Sequence, residues 1–216
     1  MYTLFARRGW GSVIVEAQLA WLRLPFSIEE VDDLFASAEA RERLAAINPV
    51  AQIPTLLLPD GSVMTESAAM TLHLADVTSG AALVPAVGEA ERPGFLRWLV
   101  FLVANIYPTF TYADDPRRFV TGEAAQAAFR KSVDLYLQGL WAMVDQAAAS
   151  PWFLGERFSA IDIYIAAMTR WRPRRAWFAE HRPRLHAIAR RADALAELAA
   201  VWRRNFPDTP VAEAAS

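Results

Sequence analysis

Two groups of residues between Asn48 and Met70 have the chemistry to bind a peptide-like ligand. The first is Gln52-Ile53-Pro54, where a proline stands at the start of an apolar strand pattern. Proline has no N–H to give to a strand ladder, and an X–Pro bond can be cis. A cis bond would turn the N–H and C=O of Ile53 outward, free to pair with an extended peptide. The residues alone equally allow an edge strand whose proline blocks aggregation.

The second group is Glu66-Ser67, at the predicted junction of a strand and a helix. A helix N-terminus has free N–H groups and a positive potential, so it binds a carboxylate well. Ser67 adds a hydroxyl donor, and Glu66 adds an acceptor for an ammonium group. Together they fit the head group of a free amino acid, although the pair taken alone fits an ordinary helix cap better.

The amino-acid composition excludes several kinds of chemistry. The chain has no cysteine, which excludes protein disulfides, cysteine-ligated zinc and a cysteine nucleophile. It has only three histidines, so no histidine-rich metal site is expected. Any sulfur chemistry would have to use a thiol that belongs to the substrate.

The charge balance and hydropathy favour a soluble, cytoplasmic protein that binds neither nucleic acid nor membrane. The net charge is −2, whereas a polyanion-binding protein is expected to be basic overall. The arginines between Arg170 and Arg175 are interpreted as a solvated helix end. We find neither a signal-peptide pattern nor an uncharged apolar run long enough to span a bilayer.

The elements that must position these residues change character along the chain. Up to residue 77 the patterns predict the order β-α-β-α-β-β-α, which suits a small sheet layered with helices. Residues 78–88, rich in small residues, form the predicted linker. From residue 89 to 216 the pattern is helical, with long helical patterns over about 89–112, 122–149, 159–172 and 183–205. The sequence therefore predicts an α+β domain over 1–77 and an all-α domain over 89–216.

The motifs resemble those of a known family. From Asn48 onward the chain has N-P-x-x-Q-I-P-x-L, then D-G, then E-S-x-A-M. Together they resemble the glutathione-binding half of the glutathione transferase family, whose pattern runs close to N-P-x-G-x-[VI]-P-x-L, D-G and E-S-x-A-I. F-S-x-x-D, at residues 158–162, is similar to the capping box of the family's C-terminal domain. The resemblance covers essentially the whole chain and implies a thioredoxin-like N-terminal domain followed by a helical bundle.

The resemblance also implies which residues hold glutathione. Ile53, before a cis proline, would pair its backbone with the cysteinyl part, while Glu66 and Ser67 would hold the γ-glutamyl end. The implied set is Gln52, Ile53, Pro54, Glu66 and Ser67. Ala51 stands where the family has glycine, and this is tolerable if the φ angle of Ala51 is negative.

The chain departs most from the family at the group that stabilises the glutathione thiolate. Family members use a tyrosine on the first strand, or a serine or cysteine near the first helix. Phe5 occupies the tyrosine position and cannot donate. Ser12 could donate its O–H to the sulfur, or the backbone N–H groups of Trp10, Gly11 and Ser12 could do so, helped by the helix dipole and by Arg8. Ser12 could also merely cap its helix.

The implied function is conjugation of the glutathione thiolate to a small apolar electrophile, by a homodimer that uses no metal. The electrophile would bind in an apolar pocket lined by Arg8, Trp10, Asn105, Tyr107, Phe110 and Tyr112. Aromatic residues at helical spacing fit a core equally well. The alternatives are a glutathione-dependent isomerase, peroxidase or dehalogenase, and a non-catalytic glutathione-binding or regulatory protein on the same fold.

Overall fold

The computed structural model describes residues 1–78 and 83–207. The chain forms two compact units, one of residues up to Val84 together with those from Arg191 onward, the other from Pro85 to Arg190. The C-terminal segment thus groups with the first unit, which differs from domains drawn consecutively along the sequence. Four residues of the predicted linker, 79–82, lie outside the described residues. No helix in the described part of the chain is both long and apolar enough to cross a membrane.

The first unit is built on a four-stranded sheet with the strand order β2-β1-β3-β4. Its strands are β1 (Tyr2–Ala6), β2 (Phe26–Glu30), β3 (Thr55–Leu57) and β4 (Val63–Met64). β1 is parallel to β2 and antiparallel to β3, and β3 is antiparallel to β4. The helices between the strands and after them are α1 (Ser12–Trp21), α2 (Ala38–Ala45) and α3 (Ser67–Asp76). The predicted order β-α-β-α-β-β-α, that of a thioredoxin-like domain, is confirmed.

Two apolar clusters cover the two faces of this sheet. Leu4 and Leu56 belong to one cluster, together with Val15, Leu19, Met70 and Leu74 from α1 and α3. Phe5 packs instead against the cluster that contains Leu44 and Ile53. Neighbouring residues of a strand point to opposite faces, so α1 and α3 lie on one face and α2 on the other. Burying each such leucine contributes about 2 kcal/mol.

Pro54 does not interrupt a strand. β3 begins at Thr55, immediately after the proline, and lies between β1 and β4 rather than at the edge of the sheet. Pro54 therefore removes no hydrogen bond from the ladder. The interpretation of an edge strand protected by its proline is wrong.

The second unit begins with one long helical segment that changes its winding in the middle. α4 (Arg92–Phe101) leads into a π-helix (Leu102–Ile106) and then into α5 (Tyr107–Asp114). Pro108 lies in the first turn of α5. Its ring would clash with the carbonyl four residues earlier in an unbroken α-helix, which accounts for the wider turns just before it.

The rest of the second unit packs around a fully buried helix. α6 (Glu123–Ala147) is followed by α7 (Ala160–Met168), whose residues are all buried. Asp162 caps α7 by accepting hydrogen bonds from the N–H of Ser159 at 2.7 Å, the hydroxyl of Ser159 at 3.0 Å and the N–H of Phe153 at 2.8 Å. The predicted capping box is therefore present.

Of the two helical patterns predicted near the C-terminus, the second is divided in the structure. The helix predicted over 159–172 ends at Met168, and a short α8 (Arg175–His181) follows. The helix predicted over 183–205 divides into α9 (Pro183–Asp193), a 3₁₀ turn (Ala196–Leu198) and α10 (Ala199–Asn205). The indole N–H of Trp202 donates to the carbonyl of Ala192 at 3.2 Å, which caps the end of α9 and folds α10 back. α10 then packs on α1 within the first unit.

Candidate ligand-binding site

The Ile53–Pro54 peptide bond is cis, and a buried hydrogen-bond network supports the chain before it. Asn48 is 3% exposed and donates its side-chain N–H to the carbonyl of Gln52 and to the hydroxyl of Thr55, both at 3.0 Å. The Thr55 hydroxyl donates in turn to the Gln52 carbonyl at 2.7 Å. Sequence reasoning missed this network, although Asn48 opens the motif and could have indicated it.

The network leaves the backbone of Ile53 unpaired. Within residues 1–78 and 83–207, neither its N–H nor its C=O has a hydrogen-bond partner. The Ile53 side chain is buried in the α2 cluster, while the side chain of Gln52 is exposed. An anchored side chain and a free amide edge are what pairing with an extended peptide requires.

Glu66 and Ser67 lie at the start of α3 with their polar groups free. Glu66 has φ 65° and ψ 104° and occupies the N-cap position. In the described part of the chain, neither the Glu66 carboxylate nor the Ser67 hydroxyl makes a hydrogen bond or ion pair, and the N–H groups of Ser67, Ala68 and Ala69 also lack partners. The helix end therefore offers donors for a carboxylate and one acidic acceptor beside them.

Ala51 does not meet the condition under which alanine was expected to be tolerable at this position. Its φ angle is +50°, in the left-handed region, whereas tolerance of alanine in place of glycine was expected to require a negative φ. The Ala51 N–H donates to the carbonyl of Asn48 at 2.7 Å, which closes a turn before the cis bond. Alanine is therefore accommodated here at the cost of backbone strain, about 1 kcal/mol.

The hydroxyl of Ser12 is engaged within the protein. Ser12 is fully buried, accepts from the N–H of Arg7 at 3.1 Å and donates its proton to the carbonyl of Arg7 at 3.2 Å. It does not cap α1, whose N-cap is Gly11 with no side-chain hydrogen bond. The Ser12 hydroxyl is therefore bonded within its own loop, and its donation to a ligand sulfur stays a prediction.

The backbone at the start of α1 keeps free donors. The N–H of Trp10 bonds to Arg7 at 3.1 Å, but those of Gly11 and Ser12 have no partner among the described residues. Trp10 packs against the cluster that contains Ile53, so the Arg7–Ser12 loop and the cis-proline segment share one part of the first unit. A developing negative charge near the free amides would be stabilised by them and by the dipole of α1.

The two pocket residues predicted in the first unit differ in packing. The Trp10 ring lies 5.2 Å from that of Phe35, with the Arg7 guanidinium 5.4 Å from its centroid. Arg8 is largely exposed, and its guanidinium lies 3.9 Å from the Glu30 carboxylate. Trp10 is therefore held in place, and Arg8 is a solvent-exposed cation.

The four pocket residues predicted in the second unit do not form one group. Tyr107 and Phe110 pack edge-to-face against Trp171, with distances between ring centroids of 5.7 and 5.2 Å. Tyr112 instead pairs with Phe119 at 5.1 Å, and Asn105, in the π-helix, donates to the carbonyl of Phe101 at 3.4 Å. Sequence reasoning missed Trp171, which comes from the segment between α7 and α8. The assignment of all six residues to a single pocket stays a prediction.

The described residues contain no group of three or more His, Cys, Asp or Glu side chains placed to hold a metal ion. The candidate site consists instead of the Ile53 backbone, the Glu66-Ser67 helix end and the amides at the start of α1. All of these residues belong to the first unit.

Comparison with known proteins identifies relatives over nearly the full length. The sequence profile of the glutathione S-transferase N-terminal domain matches residues 13–77. An uncharacterised GST-like protein, YncG of Escherichia coli K12, is 37% identical over 206 residues, which cover 95% of this chain and 98% of the relative. Glutathione S-transferase GstA of Escherichia coli O157:H7 is 28% identical over 78% of this chain and 81% of its own.

Two solved structures are similar in sequence and in fold. A glutathione transferase homologue from Sulfitobacter, solved with bound glutathione, is 25% identical with a TM-score of 0.83, over 93% of this chain and 96% of that one. A sphingomonad glutathione S-transferase complexed with glutathione is 27% identical with a TM-score of 0.75, over 93% and 97% of the two chains.

Proposed function

Because the chain belongs to the glutathione transferase family, we propose that it binds glutathione and transfers the glutathione thiolate to a small apolar electrophile. The observation that carries this proposal is the free backbone of Ile53 beside the cis Pro54, with free polar groups of Glu66 and Ser67 in the same unit. The relatives named glutathione S-transferases and the structures solved with glutathione support it.

In the proposed complex, glutathione adds an extended peptide to the unpaired Ile53. The N–H and C=O of Ile53 pair with the cysteinyl residue of the ligand. The γ-glutamyl carboxylate accepts hydrogen bonds from the first turn of α3 and from Ser67, while Glu66 receives the ammonium group. The exposed side chain of Gln52 contacts the remaining part of the tripeptide.

We propose that backbone amides, and not the hydroxyl of Ser12, stabilise the sulfur. The Ser12 hydroxyl gives its proton to Arg7, whereas the N–H groups of Gly11 and Ser12 are free in the described structure. Donors at a helix start favour the thiolate, which is the attacking form. The thiol proton passes to water, and the thiolate then forms a carbon–sulfur bond with the electrophile. In a substitution the displaced electron pair departs with the leaving group. In an addition it moves onto the conjugated acceptor.

The proposed electrophile is apolar, because the candidate residues for its pocket are mostly aromatic. Trp10 and Tyr107 are partly exposed, whereas Phe110 is buried. We propose Trp10 in the first unit and Tyr107 in the second as candidates to contact the electrophile. The other candidates are Arg8, Asn105, Phe110 and Tyr112. We further propose that the protein is a cytoplasmic homodimer and uses no metal. Sedimentation of the purified protein tests the proposed dimer.

Calorimetric titration with glutathione tests the binding part of the proposal. Saturable binding at micromolar to millimolar concentration is expected, and its absence would refute the proposal. Absorbance of the bound thiolate against pH tests the catalytic part. The pKa of the bound thiol is expected to lie below the ~8.5 of a free cysteine thiol.

A second candidate function is favoured by one observation at the catalytic position. Phe5 has no donor, and the only hydroxyl near the start of α1, that of Ser12, is occupied, which suits a protein that binds glutathione without activating it. Conjugation assays with a chloronitrobenzene, run beside assays with a peroxide, a haloalkane and an isomerisable substrate, separate the activities. Saturable binding with an unshifted thiol pKa and no turnover would favour the non-catalytic protein.

A further inference from the structure

The loop that precedes α1 is held by a residue from the far end of the chain. The N–H of Gly9 donates to the side-chain oxygen Oδ1 of Asn205, the last residue of α10, at 3.2 Å. A Cβ atom added at Gly9 would lie 3.4 Å from the backbone oxygen of Asn205 and 3.6 Å from the ring of Phe206. The loop and the end of α10 are therefore in direct contact within the first unit.

The amide group of Asn205 is fixed in one orientation. Its Nδ2 donates to Oε2 of Glu16 at 2.9 Å and to the carbonyl of Val201 at 3.0 Å, which leaves Oδ1 for Gly9. Asn205 is 4% exposed and Glu16 is 3% exposed. A buried side-chain amide with both ends satisfied has no other low-energy orientation.

Arg204 strengthens the attachment of α10. Its guanidinium donates to Glu16 and to Glu30, both at 2.6 Å. Burial raises the pKa of Glu16 above its ordinary value, while the hydrogen bond from Asn205 and the charge of Arg204 act in the opposite direction. Glu16 on α1 is thus joined to two consecutive residues of α10.

Gly9, which Asn205 holds, is part of a hydrogen-bonded turn just before α1. Gly9 has φ +74° and is the third residue of the turn that the Trp10 N–H closes on the carbonyl of Arg7 at 3.1 Å. The hydroxyl of Ser12 holds the same carbonyl from the other side, at 3.2 Å. The loop is therefore fixed at Gly9 and at the Arg7 carbonyl, and the free N–H groups of Gly11 and Ser12 follow Gly9 by two and three residues.

We propose that Asn205 is a positioning residue for the transferase reaction, which keeps the N–H groups of Gly11 and Ser12 directed at the glutathione sulfur by holding Gly9. This inference rests on the proposed function. Amide donors stabilise a charge only when their direction is fixed beforehand, and a loop free to turn at Gly9 would lose that fixed direction. Asn205 touches neither glutathione nor the electrophile in this proposal.

A purely structural Asn205 would predict a different result. Its loss would then lower the stability of the first unit and leave the bound thiol as in the wild type. The positioning role predicts a change in the ionisation of the bound sulfur with little change in the binding of the rest of the tripeptide. S-methylglutathione separates the two, because it has the same backbone and no ionisable thiol.

The experiment compares Asn205→Ala with Arg203→Ala in the full chain. Arg203 is exposed on the same helix and is the matched control. For each protein we measure binding of S-methylglutathione by calorimetry, the pKa of bound glutathione by thiolate absorbance, and denaturation by urea. If Asn205→Ala does not fold, Asn205→Gln keeps the amide, displaces it by one methylene, and is measured in the same way.

The expected result for Asn205→Ala is a rise of ~0.5–1 in the pKa of the bound thiol, with the affinity for S-methylglutathione within about twofold of wild type. Turnover near neutral pH is expected to fall ~3–10-fold, in line with the smaller thiolate fraction. Arg203→Ala is expected to match the wild type. An unchanged thiol pKa in folded Asn205→Ala or Asn205→Gln overturns the inference, whereas failure of the wild type itself to bind glutathione or lower its pKa would refute the proposed function instead.

Discussion

Glu66, in the candidate site, and Ala51, two residues before its Ile53, have positive φ angles although neither is glycine. Ala51 lies two residues before the cis bond, and Glu66 lies at the start of α3. A side chain in this region costs about 1–3 kcal/mol and persists only where the surrounding structure imposes it. At the residue scale, strain thus coincides with the positions that the motif singles out.

Ala51→Gly is predicted to stabilise the protein by about 0.5 kcal/mol. Glycine relieves the strain at φ +50° in the folded state, and its greater conformational freedom in the unfolded chain offsets part of this gain. Urea denaturation followed by tryptophan fluorescence measures the change. Ala46→Gly is the control, since Ala46 is exposed with φ −65° and the same change should destabilise there. A loss of stability in Ala51→Gly would contradict the assignment of strain.

Glu66→Gln is predicted to weaken glutathione binding about tenfold, because it removes the charge that pairs with the ligand ammonium group. Calorimetric titration measures the dissociation constant. Glu39→Gln, at an exposed position on α2, serves as the control and should bind as the wild type does. Equal affinities of the two variants for glutathione would contradict the proposed contact between Glu66 and the ligand.

At the scale of the element, α7 depends on Asp162. Asp162→Ala is predicted to lower the free energy of unfolding by about 2–4 kcal/mol, because it leaves the N–H groups of Phe153 and Ser159 buried without partners. Urea denaturation measures the loss. Asp76→Ala, at the exposed last residue of α3, makes the same change of side chain away from a helix N-terminus and should cost far less.

The carboxyl group of Asp162 is expected to make the stability of the protein depend on pH. Burial raises the pKa of Asp162 to about 6 from its ordinary 3.8, against the effect of its three hydrogen bonds. Because the pKa in the folded state is the higher one, this contribution to stability is complete below pH 3.8 and is lost as the pH rises through 6. The loss amounts to about 3 kcal/mol. Stability measured from pH 4 to 7 should fall in the wild type relative to Asp162→Asn, and parallel curves for the two proteins would contradict the shift.

The sequence predicted the elements that local patterns control. The order of strands and helices in the first unit, the capping of α7 by Asp162 and the position of Glu66-Ser67 at a helix start all follow from proline, glycine and capping chemistry over a few residues. The break between α9 and α10 was missed because it depends on Trp202 reaching back to Ala192, a tertiary contact that leaves the helical period intact. The bonds that the Ser12 hydroxyl makes to the backbone of Arg7 were missed for a related reason, since they depend on the folding of the loop before α1.

At the scale of the whole molecule, α10 belongs to the core of the first unit. Val201 is 5% exposed and Trp202 is 3% exposed. Trp202→Ala is predicted to lower the free energy of unfolding by about 3–5 kcal/mol, since it removes a large buried ring and leaves a cavity. Arg203→Ala, one residue further along the helix, should change it by less than about 0.5 kcal/mol. Urea denaturation measures both, and similar effects would contradict the packing of α10.

The attachment of α10 to α1 also sets an order of events during synthesis. The sheet and α1 are synthesised before α10, which carries the residues that bond to Glu16 and Gly9. The helices from Pro85 to Arg190 emerge between them and have their own core. A released fragment that ends at residue 190 should therefore protect its helices after Pro85 from protease while its first 84 residues remain open to cleavage, so the first unit would reach its final form only once α10 has been made.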